Sequence, residues 1–255
     1  MAVHEVAEEG FGREAEVYER VRPSYPADAV AWLVDNLGLG PGRIVLDLAA
    51  GTGKFTRLLV PSGTTVLAAE PVEGMRRRFI AAVPDVPIVA AVAEALPIAP
   101  RSLDAVTVAQ AFHWFDADRA FGEFARVLRP RGRVGLIWNA RDRSTDWVNE
   151  VWSIMDRVEK RAPWRDHEQG NDSAPRSRAG FGPVHTETFR HEQSITPEGV
   201  VDRIASVSHV AVLPVAERKR VLDEVRGVLT HHPDARGRSE LRIPYRVDAY
   251  WYGRA

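Results

Sequence analysis

The chain has 255 residues, 45% of them apolar, with 34 basic against 35 acidic side chains and a net charge of −1. This balance fits an ordinary soluble protein with a sizeable core and excludes a polyanion-binding composition, so no nucleic-acid partner is expected. Cysteine is absent, which excludes disulfides, thiolate zinc sites and cysteine nucleophiles.

The opening stretch MAVHEVAEEGFGREAEVYERVRP is acidic and has no apolar signal region, and no apolar run of membrane-spanning length follows it. A cytoplasmic location without a membrane partner is therefore expected. Phe11, Ala15 and Tyr18 form one apolar helix stripe, and ADAVAWLVDNLGL reads as the helix before the first strand. Short β-branched runs at 43–49, 64–70, 86–92, 103–110 and 133–139 predict five strands. Helical patterns at 53–60, 73–83 and 117–128 lie between them. Apolar strands alternating with helices predict an α/β fold with a parallel sheet covered on both faces. Beyond Asn139 the rhythm changes. A helix is predicted at 144–160, a polar loop at 161–183 and a strand at 184–195. Thr196 and Pro197 start a further helix, another follows at 215–229, and 240–254 alternates as a last strand.

The stretch LDLAAGTGKFT at 46–56 carries the most chemistry. A phosphate-binding loop would need glycine where Leu48 stands and a hydroxyl residue where Phe55 stands. A dinucleotide turn would need a third glycine where Thr56 stands. Both phosphate readings are weak. Asp47 closes strand one, and Gly51 and Gly53 allow close backbone approach with a helix N-terminus behind them. Glu70 closes strand two ahead of Pro71, 17 residues after Gly53, where a carboxylate can accept both hydrogen bonds of a ribose diol.

The motifs VLDLAAGTGKFT, AAEPVEGM, AVAEALP, AQAFHWFD and RVLRPRGRVGLIWNARD occur in the order and spacing of class I S-adenosylmethionine-dependent methyltransferases with a type 11 methyltransferase domain. The chain especially resembles the branch of trans-aconitate methyltransferase-type enzymes, from YERVRPSYP near its start to LRIPYRVDAYW near its end. The resemblance implies a Rossmann-like, seven-stranded, mostly parallel sheet with an antiparallel last strand. It divides the chain into an N-terminal lid (1–28), a cofactor-binding core (29–140) and substrate-side cap elements with the last two strands (141–255). It also implies S-adenosyl-L-methionine as cofactor and S-adenosyl-L-homocysteine as product, and the leading reading is a small-molecule acceptor methylated on oxygen, with nitrogen less favoured.

Position by position, Asp47, Gly51 and Gly53 would hold the methionine end of the cofactor. Glu70 and Pro71 would border the ribose, Met75 the adenosine face, and Ala93 and Glu94 the adenine. Two residues depart from the pattern: Ala49 stands where glycine is common and Val92 where an acidic residue is common. Gln110 would reach the methionine amino group, with His113 and Trp114 facing the methyl donor. Core packing explains Trp114 and Phe115 equally well. Lys54 reads as a solvated first-turn residue.

Methyl transfer needs no protonation of its thioether leaving group, so positioning dominates. A base is needed only for hydroxyl or amine acceptors, and His113 is then the candidate. A carboxylate acceptor would call instead for an arginine clamp, with Arg22, Arg141 and Arg143 as candidates. Tyr18, Arg22 and Tyr25 would form part of a lid, although simple docking also accounts for the N-terminal stripe. No metal is expected, because the histidines lack ligand spacing. A nicotinamide oxidoreductase and a catalytically silent binding module are the rival readings.

Overall fold

The structure is a computed structural model describing residues 20–159 and 178–255. The stripe at Phe11, Ala15 and Tyr18 and most of the polar loop at 161–183 lie outside the described residues.

The strands are β1 (Ile44–Leu48), β2 (Thr65–Ala69), β3 (Ile88–Val89), β4 (Leu103–Ala109), β5 (Leu128–Arg141), β6 (His185–Ile195) and β7 (Leu241–Gly253). They form one sheet in the order β3-β2-β1-β4-β5-β7-β6. Pairing is parallel from β3 to β5, and β7 runs antiparallel to both neighbours. The helices are α1 (Ala27–Leu37), α2 (Thr56–Leu59), α3 (Glu73–Ala82), α4 (Ala117–Val127), α5 (Asp146–Glu159), α6 (Pro197–Ala205), α7 (Ser208–Ala211) and α8 (Val215–His231).

Because successive strand residues point to opposite faces, the apolar runs feed two cores. Leu46, Leu48, Val106 and Val108 pack with Phe121 and Phe124 of α4. Val45 and Ala105 pack on the other side with Leu33 and Leu37 of α1. A third cluster stands apart as a cap: Trp147, Val151, Trp152 and Met155 of α5 meet Val200, Val201 and Ile204 of α6. Val225 of α8 and the opening of β7 at Leu241, Ile243 and Tyr245 complete it.

The predicted elements need three corrections. The helix expected at 53–60 is one turn, Thr56–Leu59, continued by a 3₁₀ turn at Val60–Ser62. Pro61 cannot extend the backbone ladder, and Gly63 ends the turn at φ 76°. The third strand shrinks to Ile88–Val89, since only those residues pair with β2. The fifth strand starts earlier, at Leu128, through an irregularity in its pairing with β4. Arg131 in that stretch takes a left-handed φ of 63°.

Candidate active site

The turn after β1 and the end of β2 build the first wall of the site. Asp47 is fully buried. Its carboxylate accepts from the Thr56 hydroxyl at 2.5 Å and from the Thr107 hydroxyl at 3.1 Å, so both oxygens are held by neighbouring elements. Burial, outweighing these two bonds, pushes the Asp47 carboxyl up to about 6, and the nearby charge of Glu70 pushes the same way. Glu70 is also buried. Its carboxylate accepts from the Gly51 N–H at 3.0 Å and the Val72 N–H at 2.8 Å, which ties the two strand ends together. Burial raises its pKa against the pull of these donors.

The two turn glycines do different work. At Gly51, φ is 58° and a Cβ would point into open space. At Gly53, φ is 84° and a Cβ would lie 2.6 Å from the Val83 side chain and 3.0 Å from Phe79. Gly53 therefore lets the turn approach the chain around α3, whereas Gly51 keeps a surface clear. Ala49 adopts φ 53° and Gln110 φ 62°, the left-handed region in which a side chain is strained. Ala49 thus takes up the conformation that glycine would supply freely.

These elements open onto a cleft lined by Asp47, Ala49, Gly51, Gln110, Arg22 and Tyr25 among the predicted residues. Thr52, Lys54, Phe55, Asn139 and Arg203 line it as well. The cleft lies at the carboxyl ends of β1, β4 and β5, where an open α/β sheet places its ligand. Tyr25 and Phe55 meet edge to face with ring centroids 5.2 Å apart.

Residues 20–25 are strapped to this cleft from several directions. The Lys54 ammonium donates to the Arg22 carbonyl at 2.8 Å, the Gln193 amide to the Val21 carbonyl at 2.9 Å and the Asn139 amide to the Ser24 carbonyl at 3.1 Å. Arg22 donates to the Ser206 carbonyl at 2.9 Å, and Arg20 pairs with Asp202 at 2.5 Å. Lys54, expected to be a solvated first-turn residue, is instead a tether between the β1 turn and this segment.

Several predicted residues stand away from the cleft lining. Gly53, Met75 and Ala93 are buried in packing. The Glu94 carboxylate accepts from the Asp116 N–H at 2.8 Å and fixes the start of α4. Glu70, bonded to the Gly51 N–H, and Pro71 are not among the residues that line the cleft. Trp114 packs partly buried against the core, and Phe115 is buried in it. Arg141 is committed to Asp156 and Glu159 and stacks 4.9 Å from the Trp152 ring. Arg143 makes a two-pronged bond to Asp156, both contacts at 2.7 Å. His113 sits in a 3₁₀ turn, Phe112–Trp114, with its ring 4.9 Å from that of Trp114. Burial first, and the positive charge of Arg22 second, pull its pKa down to about 4. The imidazole is neutral at physiological pH, but it is a far weaker base than an ordinary histidine.

Arg203 was not singled out from the sequence, although a signal was present. Val200, Arg203, Ile204 and Val207 follow helical spacing, so a charge stands on the apolar stripe that builds the cap.

A methyltransferase domain family matches residues 46–136. An uncharacterised methyltransferase of Mycobacterium tuberculosis is 40% identical, over 92% of this chain and 91% of its own length. The chain belongs to the class I S-adenosylmethionine-dependent methyltransferases. Among solved structures, a proposed type II methyltransferase of Anaeromyxobacter dehalogenans superposes with a TM-score of 0.65 at 28% identity, covering 91% of this chain and 97% of that one. Phosphoethanolamine N-methyltransferase 2 of Haemonchus contortus, solved with S-adenosyl-L-methionine, shares the fold with a TM-score of 0.56 at 15% identity. That match covers all of this chain (100%) and 60% of the other. The methyltransferase therefore uses S-adenosylmethionine on a seven-stranded sheet, and the narrower trans-aconitate branch rests on the sequence motifs alone.

Proposed function

We propose that the enzyme transfers the methyl group to an oxygen of a small-molecule acceptor, and that this oxygen belongs to a carboxylate rather than a hydroxyl. The observation that carries this reading is a cleft lined by two arginines, Arg22 and Arg203, and not by His113, whose pKa burial also pulls down to about 4. A hydroxyl must lose its proton as it attacks, and His113 gains little by taking it. A carboxylate arrives already negative and needs no base.

The residues present fit the cofactor. A carboxylate offers about four lone-pair sites, and the two N–H groups on Glu70 leave room for a ribose diol. Gly51 keeps the backbone open for the methionine end beside Asp47, and the Gln110 amide borders the same space. Pro71, Met75, Ala93 and Glu94 belong in this reading to the adenosine end, and Gly53 acts through the shape of the turn. Tyr25 and Phe55 offer ring faces suited to a sulfonium. When bound, S-adenosylmethionine supplies an electrophilic methyl: the acceptor oxygen's lone pair forms the O–C bond while the C–S pair returns to sulfur, leaving neutral ester and neutral thioether.

The protein's part is to hold the acceptor in line and exclude water, which can remove roughly 7–11 kcal/mol of barrier. The strapped segment at 20–25 serves as the roof, and it admits a metabolite more readily than a folded macromolecule. In this reading 1–28 is the lid, 29–140 the cofactor core and 141–255 the cap with the last two strands. A cytoplasmic location without nucleic-acid or membrane partners completes the proposal. Among the described residues no helix is long and apolar enough to cross a membrane.

Incubation with a radiolabelled methyl donor and fractionated metabolite extracts, followed by mild alkaline hydrolysis, tests the acceptor atom. Methyl esters release volatile labelled methanol, which is the expected result. A base-stable label would place the methyl on a hydroxyl or an amine and overturn the carboxylate reading.

A further inference from the structure

The cap holds a buried cation that the described residues satisfy only in part. Arg203, on α6, is 8% exposed and lines the cleft. Its Nε and Nη1 have no hydrogen-bond partner among the described residues. The carboxylates around it are engaged elsewhere: Asp202 with Arg20, Asp156 with Arg143 and Arg141, and Glu159 with Arg141. The guanidinium lies 5.8 Å from the face of Trp152, the same ring that Arg141 approaches. A ring face offsets only part of the cost of burying a charge. Arg22, the second arginine of the cleft, turns one nitrogen to the Ser206 carbonyl three residues along the same segment.

We infer that Arg203 receives a carboxylate of the methyl acceptor and sets the specificity of the site for organic acids. This rests on the proposed methylation of a small molecule and names the substrate class it would take. The planar fork of a guanidinium matches the two oxygens of a carboxylate, a fit that a lysine ammonium does not reproduce. A carboxylate in the cleft would neutralise a charge that the described residues leave without an ion-pair partner, so recognition and relief of that charge coincide. Two carboxylates could reach an arginine in this cleft, that of the cofactor's methionine end and that of the acceptor. Arg203 rises from the cap, within the packing of Val200, Val201 and Ile204, whereas the strand-end turn next to Asp47 and Gly51 brings its own cation, Lys54. The acceptor is therefore the assigned source.

The test is calorimetric titration of the full-length enzyme loaded with S-adenosylhomocysteine, using hexanoate, succinate and citrate, each against its neutral methyl ester. At least one acid should bind while its ester does not. Arg203→Met should weaken that acid tenfold or more, Arg203→Lys should weaken it less, and affinity for S-adenosylhomocysteine should stay within twofold. Arg203→Met should also melt no lower than the parent without ligand, since it removes a buried unpaired charge, and this guards against loss of fold. A tenfold loss of S-adenosylhomocysteine affinity would assign Arg203 to the cofactor's carboxylate and overturn the inference. So would equal binding of the acids by parent and variant, or no binding of any acid by the parent. A base-stable methyl product would sink the ester reading and leave this binding test standing, so the two failures are distinguishable.

Discussion

The two walls of the cleft are built by opposite rules. On the cofactor wall the buried acids are satisfied by the fold itself: Asp47 by Thr56 and Thr107, and Glu70 by the N–H groups of Gly51 and Val72. On the cap wall Arg203 is buried with two nitrogens left without partners among the described residues. A polar group satisfied internally fixes geometry, and one left unsatisfied in a cleft waits for a ligand to complete it. In the proposed reading the first wall is preorganised for a constant cofactor, while the second carries the selectivity.

The sharpest contrast within the first wall is between its glycines. Gly53→Ala should cost about 2–4 kcal/mol of stability, combining overpacking against Val83 with a left-handed φ. Gly51→Ala, whose Cβ meets open space, should cost about 1–2 kcal/mol from φ alone. Denaturant unfolding measures both, and equal losses would break the division between a packing and a binding glycine.

Asp47 gives the next largest effect. Its folded pKa of about 6 lies above the ordinary 3.8, so the folded state favours the protonated form. The stabilisation from that proton is complete below the unfolded pKa and is lost as pH rises through the folded one. Relative to Asp47→Asn, the wild type should lose about 1–3 kcal/mol between pH 4 and 6. Unfolding curves for the two proteins that stay parallel across this window would show that burial does not govern the group.

Smaller still is the expected effect at His113. With its pKa pulled down to about 4, His113→Ala should lower turnover less than about tenfold, against about 10²–10⁴ for a lost general base. The pH profile should show no limb near 6.5 that the substitution removes. Such a limb would favour a hydroxyl acceptor and shift selectivity from the arginines to a base. The smallest effect is a gain. Ala49→Gly relieves the strain at φ 53° but adds freedom to the unfolded chain, for a net stabilisation of about 0.5–1 kcal/mol, read as a higher melting temperature.

The same contrast explains what could be read from the sequence. The strands and the turn at 46–56 are local patterns: Leu46 and Leu48 alternate with Val45 and Asp47, and Gly51 and Gly53 follow within six residues. Periodicity placed most of the strands near their observed positions, and the family resemblance supplied their arrangement in a seven-stranded sheet. The opposite side of the cleft is assembled from positions 22, 139 and 203, which no local pattern connects. Arg141 and Arg143 looked available because the carboxylates that bind them, Asp156 and Glu159, lie a helix away. Lys54 looked solvated because its partner is a carbonyl 32 residues upstream. The histidine pKa was similarly illegible, since burial and Arg22 set it and neither follows from FHW alone.

In the proposed reading Glu70 preorganises the cofactor wall and holds the ribose, and a titration with S-adenosylhomocysteine tests this most directly. Two charge-assisted hydrogen bonds at about 1.5–3 kcal/mol each predict that Glu70→Ala raises the dissociation constant at least tenfold, with the fold retained by circular dichroism. An unchanged dissociation constant in the folded variant would contradict the assignment of the ribose to Glu70 and the account of the cleft built on it.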